Sequence, residues 1–320
     1  MVIRRRDYEP LGIILAHDHG LATVVPGGEP QEVVAGHRFT STDYYDGLAM
    51  AGAPGVGAWV HDGKRWKQRW EGDARSVSVL PNGDLFIGVG DGRLVRSTDR
   101  GETWEELEGV LNVIKHGNNF VPPRGESKCF VRGVVQVEEG IVLAIGGGGA
   151  WHTRDNGNTW LRRTDGLDAK MHGVWSHPEH RDRLYATSDS GVFRSEDEGF
   201  SWLQSLGGLD RSWGGTLAIM PGAPDALILS MARHAPPEPG GSATEGTVFR
   251  SPNGGVSWAR VMLEGDDEWP RIPCVTRPWD WEDVAFVAAG EKLWASHDRG
   301  KNWLALSDGL PVANSIAASL

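Results

Sequence analysis

Several β-rich segments of the chain resemble one another, and they carry a cationic side chain at the same position. The segments read HRFTSTDYYDGL, ARSVSVLPNGDL, VRGVVQVEEGIV and MHGVWSHPEHRDRL. When each is aligned on the turn that follows it, one column contains Arg38, Arg75, Arg132 and His172. In the later segments the column is less regular, because it holds Gly215 with Trp213 just before it, and Arg271 one position away.

Two interpretations of this column are open. Arginine suits carboxylate or phosphate because its planar guanidinium donates two parallel hydrogen bonds. Like charges gathered at one place repel unless an anion or local carboxylates balance them. The first interpretation is an anion-binding centre formed by the arginines of the column and Arg271, with Trp213 beside it. The second is that each arginine pairs with a nearby acid and only holds neighbouring repeats together; the candidate acids are Asp73, Asp210 and Glu126.

Histidines supply the candidate acid–base and metal chemistry. His172 and His116 are the candidates for a general acid or base, because imidazole titrates near neutral pH. A divalent metal is a further hypothesis, with His17, His19 and His234 as its ligands, since neutral imidazole commonly binds zinc, iron and copper. The alternative is that these histidines are only solvated or hydrogen-bonded.

A second motif shows how the chain is organised. It consists of Ser or Thr, an acid (Asn253 in one copy) two positions on, Gly two after that and Trp three further. The copies are STDRGETWEEL from Ser97, TRDNGNTWLRR from Thr153, SEDEGFSWLQS from Ser195, SPNGGVSWARV from Ser251 and SHDRGKNWLAL from Ser296, with a degenerate copy from Val60. A repeat of this period predicts an array of similar units. Short segments of alternating polarity flank each copy and predict strands, and almost no stretch has helical periodicity.

The motif resembles the Asp-box, or BNR repeat, of sialidases, sortilin-type receptors, xyloglucanases and photosystem II assembly factors. In those families it lies between the third and fourth strands of β-propeller blades, so the resemblance implies an all-β propeller. Six strand quartets are expected at 38–70, 74–108, 129–165, 169–207, 211–262 and 269–308. The N-terminal segment adds three strands and the C-terminal segment adds one. If the N-terminal and C-terminal segments together form a seventh blade, the ring is closed. A six-bladed ring is the alternative.

The whole chain, 1–320, is therefore expected to form one propeller domain. Two insertions interrupt the repeat, at 112–128 between blades and at 232–245 between a second and a third strand. In a propeller both of these connections lie on the face opposite the Asp-boxes. Because functional residues concentrate on such loops, this face is the expected working face.

The composition of the chain limits the classes of partner that can be expected. The net charge is −11, which disfavours a nucleic-acid partner or an anionic membrane surface. Two cysteines without metal-ligand spacing exclude a disulfide framework. No signal peptide or membrane span is recognised, so a cytoplasmic, monomeric protein is expected.

The function hypotheses follow from these features. The first is a soluble propeller that binds an anionic small molecule or a peptide-borne anion. The anion would lie where the cationic column meets the mouth of the central channel of the ring, with or without catalysis by histidine or a histidine-bound metal. The second is a non-catalytic interaction or assembly scaffold, as the resemblance to photosystem II assembly factors implies. A sialidase-type glycoside hydrolase is a weaker third, because WPRIPCV is similar to the sialidase Arg-Ile-Pro motif but lies late in the chain.

Overall fold

The computed structural model describes residues 12–25, 27–116, 120–123, 125–236, 243–263 and 268–319. Strands of the first half are β1 Gly12–His17, β2 Gly20–Val24, β3 Gln31–Ala35, β4 Ser41–Tyr45, β5 Leu48–Ala53, β6 Gly57–His61, β7 Trp66–Glu71, β8 Ala74–Val79, β9 Leu85–Val89, β10 Leu94–Ser97, β11 Glu105–Glu106, β12 Val131–Val137, β13 Gly140–Ile145, β14 Gly149–Thr153 and β15 Leu161–Arg162. One helix, α1 Glu108–His116, follows β11. Strands of the second half are β16 Met171–Ser176, β17 Leu184–Ser188, β18 Gly191–Ser195, β19 Leu203–Ser205, β20 Trp213–Met220, β21 Ala226–Ala232, β22 Gly246–Ser251, β23 Ala259–Arg260, β24 Cys274–Thr276, β25 Ala285–Ala289, β26 Lys292–Ser296, β27 Leu304–Ser307 and β28 Ala313–Ser319.

The strands form seven four-stranded antiparallel sheets, which are the blades of a β-propeller. Blade 1 has the strand order β28-β1-β2-β3, and blades 2 to 7 each use four consecutive strands. The C-terminal strand β28 pairs with β1 from Gly12–Ser319 to His17–Ala313, so both chain ends share one blade. The seven-bladed prediction is confirmed and the six-bladed alternative is wrong. Closing the ring in this way removes a free sheet edge.

Side chains join the innermost strands of adjacent blades around the channel. Four serine or threonine hydroxyls each accept a hydrogen bond from a backbone N–H of the next blade. The bonds are Thr42 N to Ser315 Oγ (3.1 Å), Val77 N to Ser41 Oγ (3.0 Å), Val134 N to Ser78 Oγ (3.1 Å) and Val275 N to Thr216 Oγ1 (2.9 Å). These bonds satisfy donors that the strand edges would otherwise leave unpaired at the channel.

The Asp-box turns show why their residue types recur. In the copy at Ser195, the hydroxyl donates to Asp197 Oδ1 (2.7 Å) and accepts from Gly199 N (2.8 Å). The same carboxylate accepts from the backbone N–H of Ser201 (2.9 Å) and from its hydroxyl (2.6 Å). Glu198 and Gly199 have positive φ values of 55° and 82°, which glycine adopts without steric cost. The acid therefore caps the turn by accepting from its backbone and side-chain donors.

Helix α1 departs from the expectation of an almost purely β chain. Leu107, Val110 and Ile114 are spaced at three and four residues, and they pack on the core between blades 3 and 4. With only nine residues, α1 gives a short periodic signal, and packing rather than propensity stabilises it. No helix in the described ranges has the length and apolar character of a membrane span.

The two faces of the ring are distinguished by backbone contacts. Asp-box turns bond to turns between first and second strands, as in Glu198 N to Asp182 O (2.7 Å) and Arg299 N to Asp283 O (2.9 Å). Turns between second and third strands, and connections between blades, lie on the opposite side, here called the insertion face. Helix α1 belongs to the β11–β12 connection, and residues 233–236 and 243–245 to the β21–β22 turn. Residues 117–119, 124 and 237–242 of the two insertions lie outside the described ranges.

Candidate functional site at the channel mouth

The seven innermost strands surround a central channel of about 630 Å³. Of the side chains singled out from the sequence, Arg75, Arg132 and His172 line it. Arg38, Arg271 and Trp213 are not part of its wall. The channel is therefore the cavity in which the sequence column has to be assessed.

A β-bulge places each of these three side chains. In each of the three innermost strands the pairing with the second strand of the blade skips one residue, which therefore has no partner. The skips lie between Ala74 and Ser76 in β8, between Val131 and Gly133 in β12 and between Met171 and Gly173 in β16. The unpaired residues are Arg75, Arg132 and His172. A bulge bends the strand and re-aims its extra side chain. A bulge therefore explains the column in three blades. Arg38, by contrast, lies outside the innermost strand of its blade, three residues before β4 begins.

Arg38 and Arg271 share one carboxylate, that of Asp18. Arg38 Nε donates to Asp18 Oδ1 (3.0 Å), and Arg271 Nη2 donates to Asp18 Oδ2 (2.9 Å). Asn314 Nδ2 donates to Oδ1 as well (3.0 Å). Burial alone would raise the pKa of Asp18, but these three donors outweigh it and hold the pKa well below its usual range. Pairing, rather than a free anion site, describes these two arginines.

Arg75 is also paired. Its Nε donates to Asp73 Oδ1 (2.9 Å) and its Nη1 donates to Glu126 Oε1 (2.8 Å). The arginine side chain is 29% exposed. Both carboxylates were named from the sequence as candidate partners, so the pairing interpretation holds here too. Asp210, the third candidate, instead accepts from Arg211 and Arg260.

Arg132 differs from its neighbours. Its Nε is buried without a hydrogen-bond partner, and its guanidinium forms no ion pair with any residue in the described ranges. The guanidinium carbon lies 4.5 Å from the centre of the Phe130 ring, a cation–π contact. Burial lowers the pKa of Arg132, and the charge of Arg75 adds to this effect; the charges of Glu126 and Asp189 oppose it. Arg132 is thus a channel-lining cation for which the described residues supply no acceptor.

His172 has both ring nitrogens engaged. Nδ1 lies 2.6 Å from Gly214 O, and Nε2 lies 2.9 Å from Asp189 Oδ1. The ring stacks on Trp213 with centroids 4.0 Å apart. The hydrogen bond from His172 is the main cause of a lowered pKa at Asp189, with a further contribution from Lys170. Both ring nitrogens are thus already engaged within the protein.

The remaining histidines are dispersed. His116 is exposed at the end of α1, with Nδ1 3.0 Å from Asn112 O, and it does not line the channel. His17 is buried, its Nδ1 accepting from His19 N (3.3 Å), while the His19 ring is exposed. His234 is exposed and lies 3.8 Å from Glu245. Within the described ranges no three His, Cys, Asp or Glu side chains are grouped to hold a metal ion.

Sequence reasoning missed the acids that accompany the column. Asp18 and Asp189 both occupy turns between second and third strands, and that position was the available signal, because these turns share the insertion face with the arginines. Asp43 gave no such signal. It lies within β4, where its oxygens accept from Tyr44 N (2.9 Å) and Val79 N (2.8 Å), and it lines the channel.

The pH dependence of stability is expected to report on Asp43. Burial raises the pKa of this carboxyl to about 6, although the two backbone donors act in the opposite direction. Because the folded-state pKa lies above the unfolded value, ionisation costs the folded protein stability as the pH rises from 4 to 7. Asp43→Asn removes that cost. Denaturant unfolding of both proteins should show the variant gaining roughly 2 kcal/mol relative to wild type over this range. A difference that does not change with pH would contradict the assignment.

The blades and turns define the class of this protein as a seven-bladed Asp-box β-propeller. No protein-family model matches the chain, and neither does any curated protein. Among solved structures it is similar to the GH74 xyloglucanase of Xanthomonas campestris and to the GH74 enzyme of Niastella koreensis. Each has a TM-score of 0.63 and 15% identity, and the match covers 94% of this chain and 47% of the enzyme. This chain therefore spans about half the length of these enzymes.

A second group of similar structures has one propeller's length. YCF48, in a structure described as bound to D1 peptide, has a TM-score of 0.53 and 14% identity, covering 92% of this chain and 98% of its own. YCF48 from Cyanidioschyzon merolae has a TM-score of 0.54 and 13% identity, covering 85% and 86%. At these identities the similarity shows the fold alone.

Proposed function

We propose that this propeller is a non-catalytic binding protein that holds one carboxylate of a peptide partner at Arg132, at the mouth of its channel. The observation that carries the proposal is the guanidinium of Arg132. It is presented by a bulge, is supported by the Phe130 ring and lacks an acceptor among the described residues. A carboxylate would supply that acceptor through two parallel hydrogen bonds.

Ion pairing at the mouth leaves one position for an anion. Four of the cations there, Arg38, Arg75, Lys170 and Arg271, each have a carboxylate partner among Asp18, Asp73, Glu126 and Asp189, whereas Arg132 has none in the described ranges. The broad anion clamp expected from the sequence is therefore narrowed to one position.

A peptide is preferred over a free small acid as the carrier of the carboxylate. The single-propeller protein YCF48 has this fold over nearly its whole length, and one of its structures is described as a peptide complex. The GH74 enzymes are about twice as long, because the match covers only 47% of each. Both ring nitrogens of His172 are bonded within the protein, so the proposed function assigns this side chain no catalytic role. The cytoplasmic location and the monomeric state stay predictions.

Anion-dependent stability tests the proposal. The melting temperature of wild type would be measured in acetate, succinate, citrate and sulfate against chloride at equal ionic strength. A pentapeptide with a free C-terminus and its amidated form would be the peptide arm. Binding at ten times Kd stabilises the native state by about 1.4 kcal/mol. We expect a carboxylate-specific rise in wild type and in Arg38→Gln, and its loss in Arg132→Gln.

The free peptide, the amidated peptide and the small acids distinguish the possible ligands. A rise with the free peptide but not with the amide supports a peptide carboxylate. A rise with small acids alone would replace the peptide by a small organic acid. If all three proteins rank the anions only by their salting-out strength, Arg132 is not a binding group and the proposal is wrong.

A further inference from the structure

A groove of about 450 Å³ lies between α1 and blade 3, at the rim of the insertion face. Leu111 and Ile114 of α1 form one wall, and Phe120 and Pro122 form the other. The buried Cys129 also lines it. Its volume falls in the range of about 300–1,000 Å³ that is common for ligand sites. The groove is separate from the channel, since no residue lines both.

The apolar walls follow from how α1 packs. Val110 of α1 is buried in the core between blades 3 and 4, whereas Leu111 and Ile114 stay half-buried at the margin of the helix. Phe120 is held edge-on against Trp151, with ring centroids 6.1 Å apart. An apolar side chain entering the groove would therefore contact side chains that the fold already fixes in place.

The rim of the groove is basic. Lys115 and Lys128 line it, and neither forms an ion pair within the described ranges. Arg93 also lines the groove, but its charge is balanced by Asp91 (2.8 Å) and Glu106 (3.6 Å). Two ammonium groups without an ion pair in the described ranges thus flank an apolar groove, and three cations stand against two carboxylates there, in a protein whose net charge is −11. A cationic rim of this kind is complementary to an acidic chain.

We propose that this groove binds an extended acidic segment of a partner protein. One or two large apolar side chains of the segment fill the space between α1 and Phe120, and carboxylates on either side of them pair with Lys115 and Lys128. The apolar contact supplies affinity, and the lysines select an acidic sequence. This site does not depend on the carboxylate site at Arg132, although both open on the insertion face.

Fluorescence anisotropy with a synthetic probe tests the groove. The probe is fluorescein-labelled, C-terminally amidated Asp-Asp-Leu-Phe-Asp-Asp, and its comparison peptide carries Ser in place of Leu and Phe. The double variant Lys115→Glu/Lys128→Glu should weaken binding of the probe at least tenfold. Lys64→Glu/Lys301→Glu is the matched control, because both lysines are exposed on Asp-box-side turns, lack ion pairs in the described ranges and change the net charge equally. This control should bind within twofold of wild type.

Further readouts locate the site. Leu111→Gln keeps the helix former but removes the apolar contact, so it should weaken the probe several-fold. Arg132→Gln should bind it within twofold, which separates this site from the channel site. A benzoylphenylalanine in place of Phe in the probe should crosslink within 111–129 when mapped by mass spectrometry.

Four results in the groove experiments would overturn the groove proposal, and a fifth concerns the channel variant. The first is no saturable binding of the probe up to 1 mM. The second is equal binding of the serine peptide, which would mean charge attraction alone. The third is an equal loss in the Lys64→Glu/Lys301→Glu control, and the fourth is crosslinking outside 111–129. Loss of probe binding in Arg132→Gln alone would assign the acidic peptide to the channel instead.

Discussion

Trp160→Ala is expected to lower the free energy of unfolding by about 3–5 kcal/mol, the usual cost of removing a buried aromatic ring. Trp160 is 9% exposed and packs in the core between blades 3 and 4. Its Nε1 donates to Gly157 O (3.0 Å), which ties the ring to its own Asp-box turn. Because Trp160 belongs to the Asp-box side, carboxylate binding at the channel mouth should persist in the folded variant.

Trp281→Ala provides the control for this change. Trp281 is 43% exposed, so the same truncation should alter stability by less than about 1 kcal/mol. Denaturant unfolding would give both values, and anion-dependent melting would report on binding. If Trp160→Ala kept the wild-type melting temperature but lost the anion response, the working face would be the Asp-box face.

Arg75→Gln and Arg132→Gln are expected to have opposite effects on stability, although the two arginines occupy equivalent bulges in adjacent blades. Arg75→Gln leaves Asp73 and Glu126 half-buried without their cation, and should lose about 2–3 kcal/mol in every buffer. Arg132→Gln removes a half-buried cation whose Nε is buried without an acceptor among the described residues. Its stability should stay unchanged or rise, since burial of an unpaired charge is costly.

Thermal unfolding of both variants in low-salt chloride buffer checks this contrast. Equal losses of stability would mean that Arg132 is also paired in solution, and the carboxylate site would lose its basis. Arg38→Gln, whose side chain is 63% exposed, should lose less than Arg75→Gln because water screens its contact with Asp18.

The sequence alone determined the architecture of this protein. The motif repeats five times with its hydroxyl, Asp or Asn, glycine and tryptophan in register, and the first three of these bond to one another within a single turn. Hydrogen bonds within one turn can be predicted from the sequence because the interacting atoms lie within a few residues of one another. The shared closing blade was also predictable, since the terminal segments supply three strands and one strand that a ring must combine. Helix α1 escaped because nine residues carry little periodic signal.

Only the tertiary structure decided which cations of the column are free. The sequence placed Arg75, Arg132 and His172 together correctly, because their position follows from a local bulge. Whether each is neutralised depends on acids far away in the chain. Asp18 reaches Arg271 across 253 positions, and Glu126 reaches Arg75 across 51. A charge pair of this kind is fixed by the closure of the ring and by side-chain directions, which no local pattern encodes. That is why the sequence predicted a cluster of cations, and only the fold singled out Arg132 within it.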